Sequence, residues 1–200
     1  MATLIVPVKG LREAKSRLRL PGVPTEELVA AMLRDTVNAA LAADVGPVVV
    51  VTPDDEVVAV ARDLGAQALV DLGSLNEAIT SGVTLAARSH AGSSRCAALL
   101  ADLPALQAHD LRSVLTSHRR GFVPDRSGTG TTLAFDEHLQ PAFGRDSASR
   151  HEAQGLPRIH LELCGLTVDV DTVEDLQVAD RLGLGEHTRR IVQEQGADPR

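Results

Sequence analysis

Aromatic side chains are almost missing from this sequence. Its 200 residues include three phenylalanines, Phe122, Phe135 and Phe143, with no tryptophan and no tyrosine. A single-strand nucleic-acid binder stacks bases on aromatic platforms, so that class is excluded for want of rings. The net charge of -7 argues the same way, because affinity for a phosphate backbone needs a surplus of cations. Lysine is scarce too: Lys9 and Lys15 are the only two, and the other eighteen basic residues are arginine. The two cysteines, Cys96 and Cys164, lie far apart without Cys-x-x-Cys spacing. They are expected to be core residues of a reduced, cytoplasmic protein, not a disulfide or zinc framework. No apolar run approaches the roughly 20 residues of a membrane span. The run Thr3 to Val8 is interrupted by Pro7 and is too short for a signal segment.

What is present is a core of Ala, Val and Leu, 44% hydrophobic overall, at a length suited to a single domain spanning 1–200. Short β-branched runs at Leu4–Val8, Val48–Thr52, Ala68–Asp71 and Ala97–Ala101 read as strands, the second and fourth apolar enough to be buried on both faces. Helical patterns lie between them. One starts at Thr25 as a capping residue, one opens at Asp54 and stops at Gly65, and two more cover Asn76–Arg88 and His109–His118. Strand, helix, strand, helix from the first residue predicts right-handed βαβ units and an α/β domain. From Gly121 the rhythm becomes more antiparallel. Strands are expected at Phe122–Pro124, Thr131–Phe135, Arg158–Leu163 and Thr167–Val170, with helices at Ser147–Gln154, Val173–Leu182 (capped by Thr172) and about Glu186–Glu194.

In open α/β sheets ligands bind beyond the carboxyl ends of the strands, which directs attention to four clusters. The first is Lys9 to Arg19, five cations and one acid in an otherwise acidic chain. Placing both lysines here suits a triphosphate that needs a compact ammonium; the plain alternative is a solvated charged loop. There is no Gly-x-Gly-x-x-Gly for a dinucleotide and no Walker-type phosphate loop. The second cluster is acidic: Asp102 at the lip of the fourth strand, and Asp169 with Asp171 near the chain's end. Alternation puts the latter pair on one face, about 7 Å apart by the strand rise. Three carboxylates suit Mg²⁺, a hard cation that takes oxygen ligands and bridges to phosphates. Alternatively Asp102 caps a turn, and Asp171 with Thr172 caps the next helix. The third cluster, Asp125 to Thr132, alternates Gly and Thr and could turn successive N–H groups inward as an anion nest. The fourth runs from Phe143 to His151 into a helix whose first N–H groups could hold phosphate or carboxylate. His151 itself reads as structural more than as a general base.

In this order the motifs resemble a known family. Val6-Pro-Val-Lys9 with Ala14-Lys-Ser-Arg-Leu18, Leu75-Asn-Glu-Ala-Ile79, Ala101-Asp-Leu-Pro104, Asp125 to Thr131, Phe143-Gly144 with Ser147 and Arg150-His151, and Val168-Asp-Val-Asp-Thr172 are similar to the phospholactate or phosphoenolpyruvate guanylyltransferases of coenzyme F-420 biosynthesis. The likeness spans nearly the whole chain. Gly10, Ala101, Ser127 and Thr132 depart from residues that members often carry, without removing a charge or hydroxyl from the key positions. The resemblance implies a nucleotide-diphospho-sugar transferase-like fold, Rossmann-like, three-layered αβα with a mixed, mostly parallel sheet. It implies transfer of GMP from GTP to a phosphorylated three-carbon acid, with release of pyrophosphate. Lys9, Lys15 and Arg17 would then hold the triphosphate and act in catalysis, and Asn76 would contact the nucleotide. Thr131, Gly144 and Ser147 would bind the acid, and Asp102, Asp169 and Asp171 would bind Mg²⁺. Phosphoenolpyruvate is favoured over 2-phospho-L-lactate as the acid. Two rivals are a metal-dependent glycosyltransferase of the same fold, disfavoured by the lack of sugar-stacking rings, and a non-enzymatic GTP-binding regulator. The loop Asp136–Pro141 offers a surface on which two copies could pair as a homodimer. No nucleic-acid or membrane partner is expected, and the few rings are expected to pack the acid half of the site.

Overall fold

The sheet is laid down outward from its first strand. In a computed structural model, which describes residues 1–11, 18–89 and 95–196, six strands form one sheet in the order β3-β2-β1-β4-β6-β5. They are β1 (Thr3–Pro7), β2 (Val48–Thr52), β3 (Gln67–Val70), β4 (Cys96–Leu99), β5 (Gly121–Pro124) and β6 (Thr131–Asp136). The first four are parallel, with Leu4 flanked by Val48 and Ala97, whereas β6 is antiparallel to both β4 and β5. The helices among the described residues are α1 (Thr25–Ala42), α2 (Asp55–Asp63), α3 (Leu75–Ser89), α4 (Ala108–Ser117), α5 (Ser147–Ala153), α6 (Val173–Leu182) and α7 (Glu186–Gly196). The architecture is thus three-layered α/β with a mixed, mostly parallel sheet.

Its layers follow from the pleat. Leu4 and Val6 point into the larger core with α1, α2, α4 and α6, while Ile5 points oppositely into a smaller core under α3 and α5. The four valines of β2 are all buried, as a strand covered on both faces requires. After β3 the crossover through α3 returns the chain to the far side of β1, where β4 forms. This switch opens a crevice at the carboxyl ends of β1 and β4. Because β6 runs backwards beside β4, with Leu133 opposite Leu99, the 125–130 turn arrives at the same edge.

Local signals placed most elements within a residue or two. Asp54 caps α2 by accepting from the Glu56 N–H at 2.9 Å, and Thr172 caps α6 by accepting from the Asp175 N–H at 3.2 Å. Thr25 does not cap α1. The extended backbone of Pro24 ends the preceding segment, and the Thr25 hydroxyl donates instead to the Leu18 carbonyl at 3.3 Å. Two expected strands also fail to form. The alternating run 158–163 makes one bridge, Arg158 beside Phe122, and leaves Leu161 and Leu163 exposed. Residues Gly165–Thr167 form a 3-10 turn, and the extended stretch after it is tied to the chain beyond β4 through the Val170 N–H and the Asp102 carbonyl, 3.0 Å apart. The inward alternation of Val168 and Val170 survives because both fill the larger core. Cys96 is buried in the smaller core, whereas Cys164 is only half-buried; burial raises both thiol pKa values.

Two buried acid and imidazole sites anchor the periphery. Asp35 on α1 accepts from the His187 and Thr188 N–H groups at 3.0 and 2.8 Å, so a buried carboxylate is matched by the positive end of α7. On the opposite face His151 is fully buried, its Nδ1 lying 3.0 Å from the Thr131 hydroxyl. Phe122 and Phe143 flank its ring at 5.6 and 5.1 Å between centroids. The third ring, Phe135, belongs to the larger core, so only two of the three phenylalanines pack this half.

Burial, with Arg150 nearby, pushes the His151 pKa down to about 4, against a partial opposing effect of the Ser147 backbone. Above about pH 7.5 the ring is neutral in both folded and unfolded chains and contributes no pH dependence. As pH falls from about 7.5 toward 4 the unfolded chain takes up a proton that the folded one resists, so stability declines through that window. The decline attributable to this one group is about 2 kcal/mol between pH 7.5 and 5. Denaturant unfolding at the two pH values should therefore show a smaller acid loss in His151→Asn than in the wild type, whatever the variant's absolute stability. An equal loss would contradict the assignment.

Candidate active site

The crevice at the ends of β1 and β4 is a cavity of about 720 Å³, within the range of small-molecule sites. Val29, Met32 and Leu33 of α1, Leu75 of α3 and Asp125 line it together with five further stretches. Pro7, Val8 and Lys9 come from the end of β1; Pro7 has no N–H to extend the ladder, and Lys9 is exposed at the mouth. Leu100, Ala101 and Asp102 follow β4. Thr129, Gly130 and Thr131 lead into β6, residues 143–147 precede and begin α5, and Asp169 and Asp171 complete the ring. Lys9, Asp102, Thr131, Gly144, Ser147, Asp169 and Asp171 are therefore brought to one cavity. Lys15 and Arg17 lie outside the described residues. Asn76 is not on the wall, although its neighbour Leu75 is.

The acidic side is assembled by backbone chemistry. The segment after β4 does not continue as a strand, and three of its polar groups are met by distant parts of the chain. The Asp102 carbonyl accepts from the Val170 N–H at 3.0 Å, and the Leu103 N–H donates to the Thr36 hydroxyl on α1 at 3.1 Å. The Pro104 carbonyl accepts from the Gly185 N–H at 2.8 Å, and Gly165 sits so close to the Ala105 carbonyl that any β-carbon would overlap it. Thr132 adds a bond of 2.7 Å from its hydroxyl to the Leu166 carbonyl, tying β6 to the same turn. Asp102 and the Asp169–Asp171 stretch are thereby fixed to each other through main chain. Among the described residues no three His, Cys, Asp or Glu side chains converge as a ready-made metal cage.

Asp175 links this side to the Gly/Thr turn. One of its oxygens accepts from Arg126 at 2.6 Å, and the other accepts from the Thr172 hydroxyl at 2.8 Å and the Asp171 and Thr172 N–H groups at 3.3 and 3.1 Å. Burial opposes its charge, but these donors together hold its pKa below the usual carboxylate value. The sequence marked Thr172 as the cap; the return bonds to Asp175 and the reach of Arg126 from 49 residues away had no local sign.

The Gly/Thr turn uses several of its own donors internally. The Asp125 carboxylate accepts from the Thr129 N–H at 3.1 Å and the Ser127 hydroxyl at 2.8 Å, and its carbonyl accepts from the Gly128 N–H at 2.9 Å. Those donors are consumed within the turn itself. In the 143–147 turn, by contrast, the N–H groups of Gly144, Arg145 and Asp146 have no acceptor among the described residues. Gly144 and Asp146 take positive φ values of 109° and 53°, as in backbone anion nests. Asn76, expected to contact a nucleotide, instead spends its amide on Phe143: it accepts from the Phe143 N–H at 2.8 Å and donates to the Phe143 carbonyl at 3.1 Å.

Solved structures with the same fold include a nucleotidyl transferase from Methanothermobacter thermautotroptrophicus, with TM-score 0.62 and 19% identity over 91% of this chain and 97% of that one. Another is a putative nucleotide-diphospho-sugar transferase from Desulfovibrio desulfuricans, with TM-score 0.67 and 18% identity over 98% and 95%. Closer in sequence are proteins named phosphoenolpyruvate guanylyltransferase from Mycolicibacterium smegmatis, 42% identical over 96% of this chain and 90% of the relative, and from Mycolicibacterium paratuberculosis, 40% identical over 94% and 91%. Residues 2–198 match the family described as guanylyl transferase CofC like. The chain belongs to that CofC-like guanylyl transferase family.

Proposed function

We propose that the chain joins GMP from GTP to the phosphate of phosphoenolpyruvate and releases pyrophosphate, a step of coenzyme F-420 biosynthesis. One observation carries this reading: a single cavity is bordered by Lys9, by Asp102, Asp169 and Asp171 among its aspartates, and by an open backbone nest, in a chain 42% identical to a protein named for that reaction. A phosphate oxygen of the acid attacks the α-phosphorus of GTP; the new P–O bond forms as the bond to the β-phosphate bridging oxygen breaks, and pyrophosphate leaves. The attacking oxygen is already ionised near neutral pH, so no general base is needed. The absence of histidine from the described cavity wall, with His151 neutral and buried behind it, agrees with that.

The residues then act by position and charge. Lys9, with Lys15 and Arg17 further along the same segment, neutralises the triphosphate and the departing pyrophosphate. The Gly144–Asp146 N–H groups, Thr131 and Ser147 receive the carboxylate and phosphate of the acid. Asp102, Asp169 and Asp171 offer the oxygen donors that magnesium prefers. An ion that takes one or two carboxylates, keeps waters and is completed by substrate phosphates suits carboxylates that border a cavity without forming a closed cage. When bound, magnesium would supply charge neutralisation at the phosphates.

Purified protein given GTP, Mg²⁺ and each acid in turn should release pyrophosphate with phosphoenolpyruvate faster than with 2-phospho-L-lactate. No release with either acid, or equal release without one, would overturn the reading. Asp169→Asn should lower kcat/KM by about a hundredfold or more and Lys9→Ala by about tenfold or more, while Arg34→Ala on α1 stays within about twofold. Full activity in the Asp169 variant, with its melting temperature unchanged, would remove that residue from the site.

A further inference from the structure

Resting on the functional reading above, we propose that Asn76 is a positioning residue for the acid substrate: it holds the 143–147 turn in the conformation that exposes its N–H groups, and it does not touch the nucleotide. Both functions of the Asn76 amide are engaged by one residue, Phe143, 67 positions away. A two-bond ring of this kind fixes the rotation of the Phe143 backbone as well as its place.

The consequence for the turn follows from peptide geometry. In a trans peptide the carbonyl of one residue and the N–H of the next point in opposite directions, and no cis peptide occurs among the described residues. Each carbonyl of the turn is drawn back into the protein. The Phe143 carbonyl accepts from Asn76 and also from Arg150 at 3.1 Å; the Gly144 carbonyl accepts from the Ser147 N–H at 3.1 Å; the Arg145 carbonyl accepts from Arg150 at 2.6 Å. Tying back carbonyls 143, 144 and 145 turns the N–H groups of 144, 145 and 146 the other way. Those are the three donors that lack acceptors among the described residues, and their residues line the cavity. Gly144 permits the required φ of 109°. Asn76 reaches the turn from the first turn of α3, where Ser74 and Glu77 exchange capping bonds and Leu75 forms cavity wall, so the clamp is mounted on a rigid helix end.

The test is calorimetric titration, in the presence of Mg²⁺, of phosphoenolpyruvate and of GTP into the wild type, Asn76→Ala and Asn76→Asp, with steady-state kinetics alongside. Asn76→Ala should weaken phosphoenolpyruvate binding and raise its KM by about tenfold or more, from the loss of two hydrogen bonds that order the turn. GTP affinity and kcat at saturating acid should stay within about threefold. Asn76→Asp, nearly isosteric and still able to accept from the Phe143 N–H, should fall between the two and covers the case in which the alanine variant does not fold. A matching loss of GTP affinity would make Asn76 a nucleotide contact, and no change in either affinity would make the clamp irrelevant; both overturn the proposal. A wild type that binds GTP but not phosphoenolpyruvate would overturn the choice of acid and this inference together, whereas a wild type that binds both, with indiscriminate variants, overturns only the inference.

Discussion

The segment just past β4 is the constraint on which the site depends. Leu103 and Ala105 are fully buried, and a buried backbone must find partners for every polar group. Here the partners come from Thr36 on α1, Val170 in the closing stretch, and Gly185 before α7. Losing any one would leave a buried donor or acceptor unmatched, at a cost of about 1–3 kcal/mol. The same bonds that satisfy the backbone bring Asp102 beside the stretch carrying Asp169 and Asp171. Folding requirements and the placing of three carboxylates are one set of interactions.

The opposite wall is held by side chains. Asn76 and Arg150 tie carbonyls back, His151 meets the Thr131 hydroxyl, and Phe122 and Phe143 enclose the imidazole. Precise placement of a small anion needs a rigid supporting shell. The scarcity of rings has a place in this arrangement: two of the three pack against the buried histidine behind this wall, and no phenylalanine besides Phe143 lines the described cavity. Asp175 joins the two walls through Arg126 and the Asp171 N–H, so charge on one side is coupled to backbone on the other.

What the sequence made legible was local. Strand β2, the caps at Asp54 and Thr172, and the gathering of charged residues at strand ends are each written within a few consecutive residues. The βαβ rhythm then implied the crevice. What it hid was long-range competition. The runs at 158–163 and 167–170 alternate like strands, but one gains a single bridge at the β5 edge and the other is claimed by the chain after β4. The Gly/Thr turn looked like an anion site, yet Asp125, three and four residues upstream, takes the N–H groups at 128 and 129. Asn76 gave no local sign of its partner 67 residues away.

The proposal that these carboxylates hold a metal ion together with a nucleotide's phosphates is tested most directly by Mn²⁺ binding, followed by electron paramagnetic resonance with and without GTP. Manganese should bind the free protein weakly and at least about tenfold more tightly when GTP is present, with Asp102→Asn abolishing the gain. Equal affinity with and without GTP, or an undiminished gain in the Asp102 variant, would contradict the assignment of these carboxylates to the nucleotide's metal.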